Sequence, residues 1–206
     1  MKKEEIISHT YEYVKEMLKD NDIAHDFYHV ERVIKTSFEI ASNYKEVDIF
    51  LLHMLALLHD IDDDKLASSK NAFKVKDFLK SINCPKEISE KILSILPKMS
   101  FRKYPILDED FPIEGKIVVD ADRLDAIGAI GIARVFSYSS FIKRPFYSED
   151  EKENTAIKHF DEKLLILHNY LNTKEAKKMA IQRHKIIKEF YDEFLKEVKW
   201  LWKFVL

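Results

Sequence analysis

The sequence predicts an all-α protein, a single-domain helical bundle over residues 1–206, on three observations. Only 3 Gly and 5 Pro occur in 206 residues, too few for a chain rich in strands and tight turns. Hydrophobic residues make up 46% of the chain, enough for a sizeable core at this length. Apolar side chains recur every three to four positions through most of the sequence, the period of a helix with one buried face.

Taken in order, residues 4–19 place Ile6, Thr10, Tyr13 and Met17 on one helical face, and the polar Lys19-Asp20-Asn21-Asp22 breaks the pattern. A second helix starts near Asp26, a good N-cap residue, with Val30, Val33, Ser37, Ile40, Ala41 and Tyr44 at helical spacing. His29 then falls in its first turn. The run Ile49-Phe50-Leu51-Leu52-His53-Met54-Leu55-Ala56-Leu57-Leu58 predicts a buried central helix over 46–60, followed by the acidic turn Asp60-Ile61-Asp62-Asp63-Asp64-Lys65. A helix is expected around 70–81, and Pro85 at a first helical position opens the next, with Ile88, Ile92 and Ile95 inward, ending at Pro97. The basic stretch from Lys98 to Pro105 reads as a solvated loop. Residues 113–125 admit a short strand by their β-branched run, but Ile113, Ile117, Ala121 and Leu124 fit a helix. Small residues from Ala129 to Ala133 allow close packing, and residues 137–152 read as a long loop. Two helices close the chain, one lined by Phe160, Leu164, Leu167 and Leu171, the other by Met179, Arg183, Ile187, Phe190, Phe194, Val198 and Leu201.

Charge and cysteine content exclude several functional classes. With 34 Lys and Arg against 36 Asp and Glu, no global basic field draws the chain to a nucleic-acid polymer or an anionic membrane, so any phosphate must be held by a local cluster. The single cysteine, Cys84, excludes an intrachain disulfide and a cysteine-rich zinc site. The N-terminus lacks the apolar core of a signal peptide, and no apolar run approaches the ~20 residues of a membrane span. A soluble, cytoplasmic protein is expected, with a homodimer left open.

The chemistry concentrates where charge interrupts apolar faces. An ionised carboxylate buried without a partner costs several kcal/mol. Asp60, at the end of the central apolar run, must therefore be paired, protonated or bound to a metal. Imidazole beside carboxylate, as in His59-Asp60, is a ligand pair for Mn, Fe, Co, Ni or Zn, although a histidine in a last helical turn also suits the helix dipole. Asp122 and Asp125 pose the same problem on the apolar face of 113–125. Arg183 interrupts an apolar stripe and needs an anion, either a buried carboxylate or a substrate phosphate. His25 and His29, four apart with an acid between them, are similar to a zinc-peptidase helix motif, but the acid is a short Asp and the position is a helix start, which argues against that chemistry.

His29, then His59-Asp60 closing an apolar helix, then Asp122 far downstream form an ordered H…HD…D pattern, and the chain resembles the HD-domain metal-dependent phosphohydrolases. The local contexts His29-Val30-Glu31-Arg32-Val33, Ala56-Leu57-Leu58-His59-Asp60-Ile61 and Ala121-Asp122-Arg123-Leu124 carry the match. The stretch Asp120 to Arg134, with Asn154-Thr155, His159-Phe160, Lys163-Leu164 and Arg183-His184, extends the resemblance to the small bacterial HD nucleotide pyrophosphohydrolases over nearly the whole chain.

The resemblance implies an all-α HD-type bundle and makes His29, His59, Asp60 and Asp122 ligands of one divalent metal ion. Manganese is expected by resemblance, with Fe, Co, Ni, Zn or Mg as alternatives. No histidine lies between Asp60 and Asp122, where dinuclear relatives supply extra ligands. Asp120 and Asp125 are expected as supporting partners of the last ligand. Asp63, in an H-D-x-x-D-x-K arrangement, is the candidate to orient the attacking water, with Asp60 beside it in catalysis. Arg32, Lys65 and Arg123 are the cations nearest the ligands in sequence and the first candidates for phosphate contacts, with Lys163, Arg183 and His25 behind them. The implied reaction takes a (d)NTP to the (d)NMP and pyrophosphate. Asp63-Asp64 also resembles the acidic pair of guanosine tetraphosphate hydrolases, although Asp125-Ala126 lacks that family's Asn. A non-catalytic module sensing a nucleotide is the alternative of another class, and a helical domain whose histidines and acids merely pair is a third.

Overall fold

The computed structural model describes residues 2–19, 26–61 and 74–202, with side chains to residue 198. Every regular element among the described residues is helical, as expected. The described residues up to Ala121 form one compact unit and those from Asp122 onward a second.

In the first unit, helix α1 (Lys3–Met17) buries Ile6, Thr10 and Val14. Thr10 can lie inside because its hydroxyl donates to the Ile6 carbonyl at 2.7 Å, four residues back. Helix α2 (Phe27–Ala41) starts where its cap requires: the Asp26 carboxylate accepts the His29 backbone N–H at 3.0 Å. Helix α3 (Ile49–Leu58) is capped by Asp48, whose carboxylate accepts the N–H groups of Phe50 and Leu51 at 3.0 and 3.1 Å. It is shorter at both ends than 46–60. Leu52 and every residue from Met54 to Leu58 are fully buried, so α3 is the core element, packed against both α1 and α2. An element surrounded by protein shows no amphipathic period, which is why its sequence is apolar all round.

Helix α4 (Lys74–Ser81) falls within the expected 70–81, whose first four positions lie outside the described residues. It ends through Asn83, at φ 50°, with the Cys84 N–H returning to the Leu79 carbonyl at 3.0 Å. Pro85 is the N-cap of helix α5 (Lys86–Ile95), one position before the expected one. Helix α6 (Ile113–Asp125) settles the strand-or-helix ambiguity of this segment. It begins in the first unit, where Gly115 leaves room for Phe111: a Cβ at that position would lie 2.5 Å from the Phe111 ring.

In the second unit, helix α7 (Gly128–Phe141) runs five residues into the segment read as loop. Ser137, Tyr138, Ser139 and Ser140 are weak helix formers, but α7 packs on the last helix, α9 (Lys174–Trp202), and tertiary contact overrides propensity. The Phe136 ring meets those of Phe146, Phe190 and Phe194 at 4.9–5.9 Å. The helix expected through Phe160 and Leu171 is instead three short pieces: helix α8 (Ala156–His159), a wide π turn over Phe160–Leu164, and a 3-10 turn over Leu167–Tyr170. Leu165 N–H reaches five residues back to Phe160, and Ile166 N–H only three back to Lys163. Wide and tight turns average to ordinary spacing, so Phe160, Leu164, Leu167 and Leu171 all stay buried and the sequence period cannot reveal the break. No helix among the described residues is long and apolar enough to cross a membrane.

Candidate metal centre

The cap that starts α2 and the end of α3 bring two imidazoles together. His29, held in the first turn of α2 by the Asp26 cap, is 1% exposed. His59 is the C-cap of α3, and its Nδ1 lies 2.8 Å from the Ala56 carbonyl. A carbonyl only accepts, so a neutral His59 ring carries its proton on Nδ1 and presents the Nε2 lone pair. That Nε2 faces His29 Nε2 at 3.3 Å. Asp60, the next residue, sets Oδ2 3.3 Å from His29 Nε2 and Oδ1 3.4 Å from His59 Nε2.

The bland expectation for His59, capping the helix end, is met through Nδ1, and this leaves Nε2 turned towards His29 and Asp60. The carbonyl holding Nδ1 is the kind of outer partner that fixes tautomer and ring direction in metal-binding histidines. Asp122, from the second half of α6, completes a group. One ligand atom from each of His29, His59 and Asp122 lies within 4.8 Å of the others. Two imidazole nitrogens and carboxylates converging at this separation suit a divalent cation of the Mn-to-Zn series, so the residues present fit the implied ion.

The remaining expected residues fall in several places. Arg32 is half-buried on α2, three residues after His29. Asp63, Lys65 and His25 lie outside the described residues. Asp120 is fully buried on α6. Asp125 is buried and ion-paired with Arg134 at 2.9 Å. Arg123 is buried and donates Nη1 to the Tyr170 carbonyl. Lys163 is half-buried within the π turn. Among the described residues the contact of Arg183 is with backbone and not with a carboxylate: its Nη1 donates to the Leu124 carbonyl at 2.6 Å. The last carbonyls of a helix lack intrahelical donors, so this oxygen supplies the electron density that the arginine needs.

Sequence reasoning gave no role to Arg134, quoted only as the end of a signature stretch, or to His168. Arg134 sits among small residues and gives no apolar stripe to interrupt. The His168 ring lies against that of His184, centroids 3.7 Å apart and planes tilted by 33°, and both Nδ1 atoms are buried without a hydrogen-bond partner among the described residues. Burial, then the neighbouring His168, then Lys188 lower the His184 pKa from its ordinary value.

Comparison with known proteins identifies the family. The HD domain family model matches residues 26–127, which contain all four expected ligands. YpgQ of Bacillus subtilis is 36% identical over 90% of each chain. The crystal structure of that protein in complex with ADP superposes with a TM-score of 0.79 at 31% identity, covering 96% of this chain and 97% of that one. An HD-superfamily hydrolase from Bacillus thuringiensis gives a TM-score of 0.73 at 37% identity, with 96% and 99% coverage. The histidines that cap α3 and open α2, in a fold shared along nearly the whole of these relatives, make this chain a member of the HD domain family.

Proposed function

We propose that the protein is a divalent-metal-dependent phosphohydrolase acting on a nucleotide, and that it takes a (d)NTP to the (d)NMP and pyrophosphate. The observation that carries this reading is the convergence of His29 and His59 Nε2 with the Asp60 carboxylate at 3.3–3.4 Å, joined by Asp122. His29, His59, Asp60 and Asp122 would hold one ion, manganese in our reading. The chemistry supplied by a divalent ion at such ligands is polarisation of a phosphoryl oxygen and acidification of a water.

This chain's own residues do the rest. Asp63 orients the water, whose oxygen bonds to the α-phosphorus as the α–β bridging bond breaks, releasing pyrophosphate. Arg32, Lys65, Arg123, Lys163 and His25 are the groups offered to the phosphates, whose charge grows on the equatorial oxygens in the transition state. That a relative 31% identical binds ADP supports a nucleotide as the ligand. Residues 1–206 act as a single HD domain in this reading, which is supported by an HD-superfamily hydrolase that matches 96% of the chain.

The test is to strip the protein of metal, resupply Mn, Co, Ni, Mg or Zn, and offer NTPs, dNTPs, NMPs and guanosine tetraphosphate. Orthophosphate and pyrophosphate are measured separately. Pyrophosphate from triphosphates is the expected product. Orthophosphate from monophosphates would keep the metal chemistry and replace the substrate. Nucleotide binding without turnover under every metal would make the protein a sensing module instead.

A further inference from the structure

Three arginines gather at the C-terminal end of α6, immediately beyond Asp122. Arg123 reaches the Tyr170 carbonyl in the 3-10 turn. Arg134, from α7, pairs with Asp125 at 2.9 Å. Arg183, from α9, donates to the Leu124 carbonyl at 2.6 Å. His168 of the same 3-10 turn lies against His184 of α9. The contacts close a ring, from α6 to the 3-10 turn, from there to α9, and from α9 back to α6, all within the second unit.

The corner at the end of α6 is correspondingly tight. Ala126 N–H donates to the Asp122 carbonyl at 3.1 Å, and Ile127 N–H to the Leu124 carbonyl at 3.3 Å. Gly128 adopts φ +78°, and a Cβ there would lie 3.1 Å from Arg183 Cβ and Cγ. A Cβ at Gly131 would lie 2.2 Å from the Ala126 carbonyl oxygen. Arg183 thus lies along the corner with its stem and bonds the helix end with its head. A cation on the terminal carbonyls is favoured by the helix dipole, and its removal frees the last turn to fray.

We propose that Arg183 is a positioning residue for Asp122: by holding the Leu124 carbonyl it fixes the last turn of α6 and thereby the direction of the Asp122 carboxylate. The proposal rests on the reading of Asp122 as a metal ligand. It gives Arg183 a task different from contact with substrate phosphate, and the two tasks have different signatures. A phosphate contact alters KM for nucleotide and leaves metal affinity alone, whereas a positioning residue alters metal affinity with no nucleotide present.

The experiment is a Mn2+ titration by calorimetry of metal-stripped wild type, Arg183→Gln, Arg183→Lys and His59→Ala, without nucleotide. Titrations are run well below each protein's melting temperature, and amide exchange of Ala126 and Ile127 is followed in the same samples. Arg183→Gln is expected to weaken Mn2+ binding by about tenfold, as loss of an outer partner of a ligand does. Exchange at Ile127 should rise about tenfold as the last turn loosens. Arg183→Lys, which keeps the charge and a donor, should recover part of both effects and serves as the readout if the glutamine variant does not fold. Wild-type Mn2+ affinity in the folded Arg183 variants, with binding lost in His59→Ala, overturns the positioning role and leaves the metal reading standing. Wild type that binds no Mn2+, or His59→Ala that binds it unchanged, overturns both.

Discussion

His59 shows how one side chain serves two demands. Its Nδ1 satisfies the Ala56 carbonyl near the end of α3, and its Nε2 points at His29 and Asp60. His59→Ala is therefore expected to lower Mn2+ affinity by at least about a hundredfold, more than loss of an outer partner costs. His53, on the same helix but edge-on to Phe38 at 5.2 Å, is the control: His53→Ala should leave Mn2+ affinity within about twofold. Calorimetric titration of both variants checks this. The candidate histidines and acids are legible in the sequence because charge at the edge of a fully apolar stretch is anomalous, and the anomaly demands a partner. Arg134 and His168 raise no such anomaly, since each sits where a polar residue costs nothing until the neighbouring helices are in place. Arg183 is legible as a residue needing an anion, but its partner is a backbone carbonyl, and carbonyls carry no sequence signal.

At the scale of elements, α3 dominates. Leu55 is fully buried there, and Leu55→Ala is expected to destabilise the fold by about 3 kcal/mol in a urea melt. Asp48→Ala, which removes the cap from Phe50 and Leu51 N–H, should cost about 1 kcal/mol. Helices α1 to α6 are legible because each carries a cap, a proline or a clean apolar face. The second unit is less so. The end of α7 carries three serines, weak helix formers by themselves, in a helix that packs on α9. The π turn after α8 preserves the average apolar period while changing every hydrogen bond beneath it. Sequence patterns report which face is buried, and in both segments that report is correct even where the backbone departs from it.

At the scale of the whole molecule, stability should depend on pH and on metal. Burial lowers the pKa of His53, and burial, His168 and Lys188 lower that of His184. In both cases the unfolded chain binds a proton that the folded chain refuses, so stability is full above the ordinary histidine value of about 6.5 and falls as pH drops from there through the depressed values. Thermal melts of metal-free protein at pH 7.5 and 5.5 should show the lower midpoint at pH 5.5, with part of the loss removed in His53→Gln. An ion that binds only the folded state adds about 2.7 kcal/mol at a hundred times its Kd. Chelation of Mn2+-loaded protein should accordingly lower Tm by several degrees, and His59→Ala should be insensitive to the chelator.

The seclusion of α3 has a cost that appears only when the chain is unfolded. From Ile49 to Leu58 there is no Asp, Glu, Lys or Arg, and the stretch that the folded protein hides most completely is, in a denatured or nascent chain, the one most able to stick to its own copies. Acidic residues bracket it, Glu46 and Asp48 on one side and Asp60 with Asp62, Asp63 and Asp64 on the other, and like charges there oppose aggregation. The aspartates grouped here for chemistry thus also guard the sticky core segment during synthesis, before any of them has a helix to cap or a histidine to face.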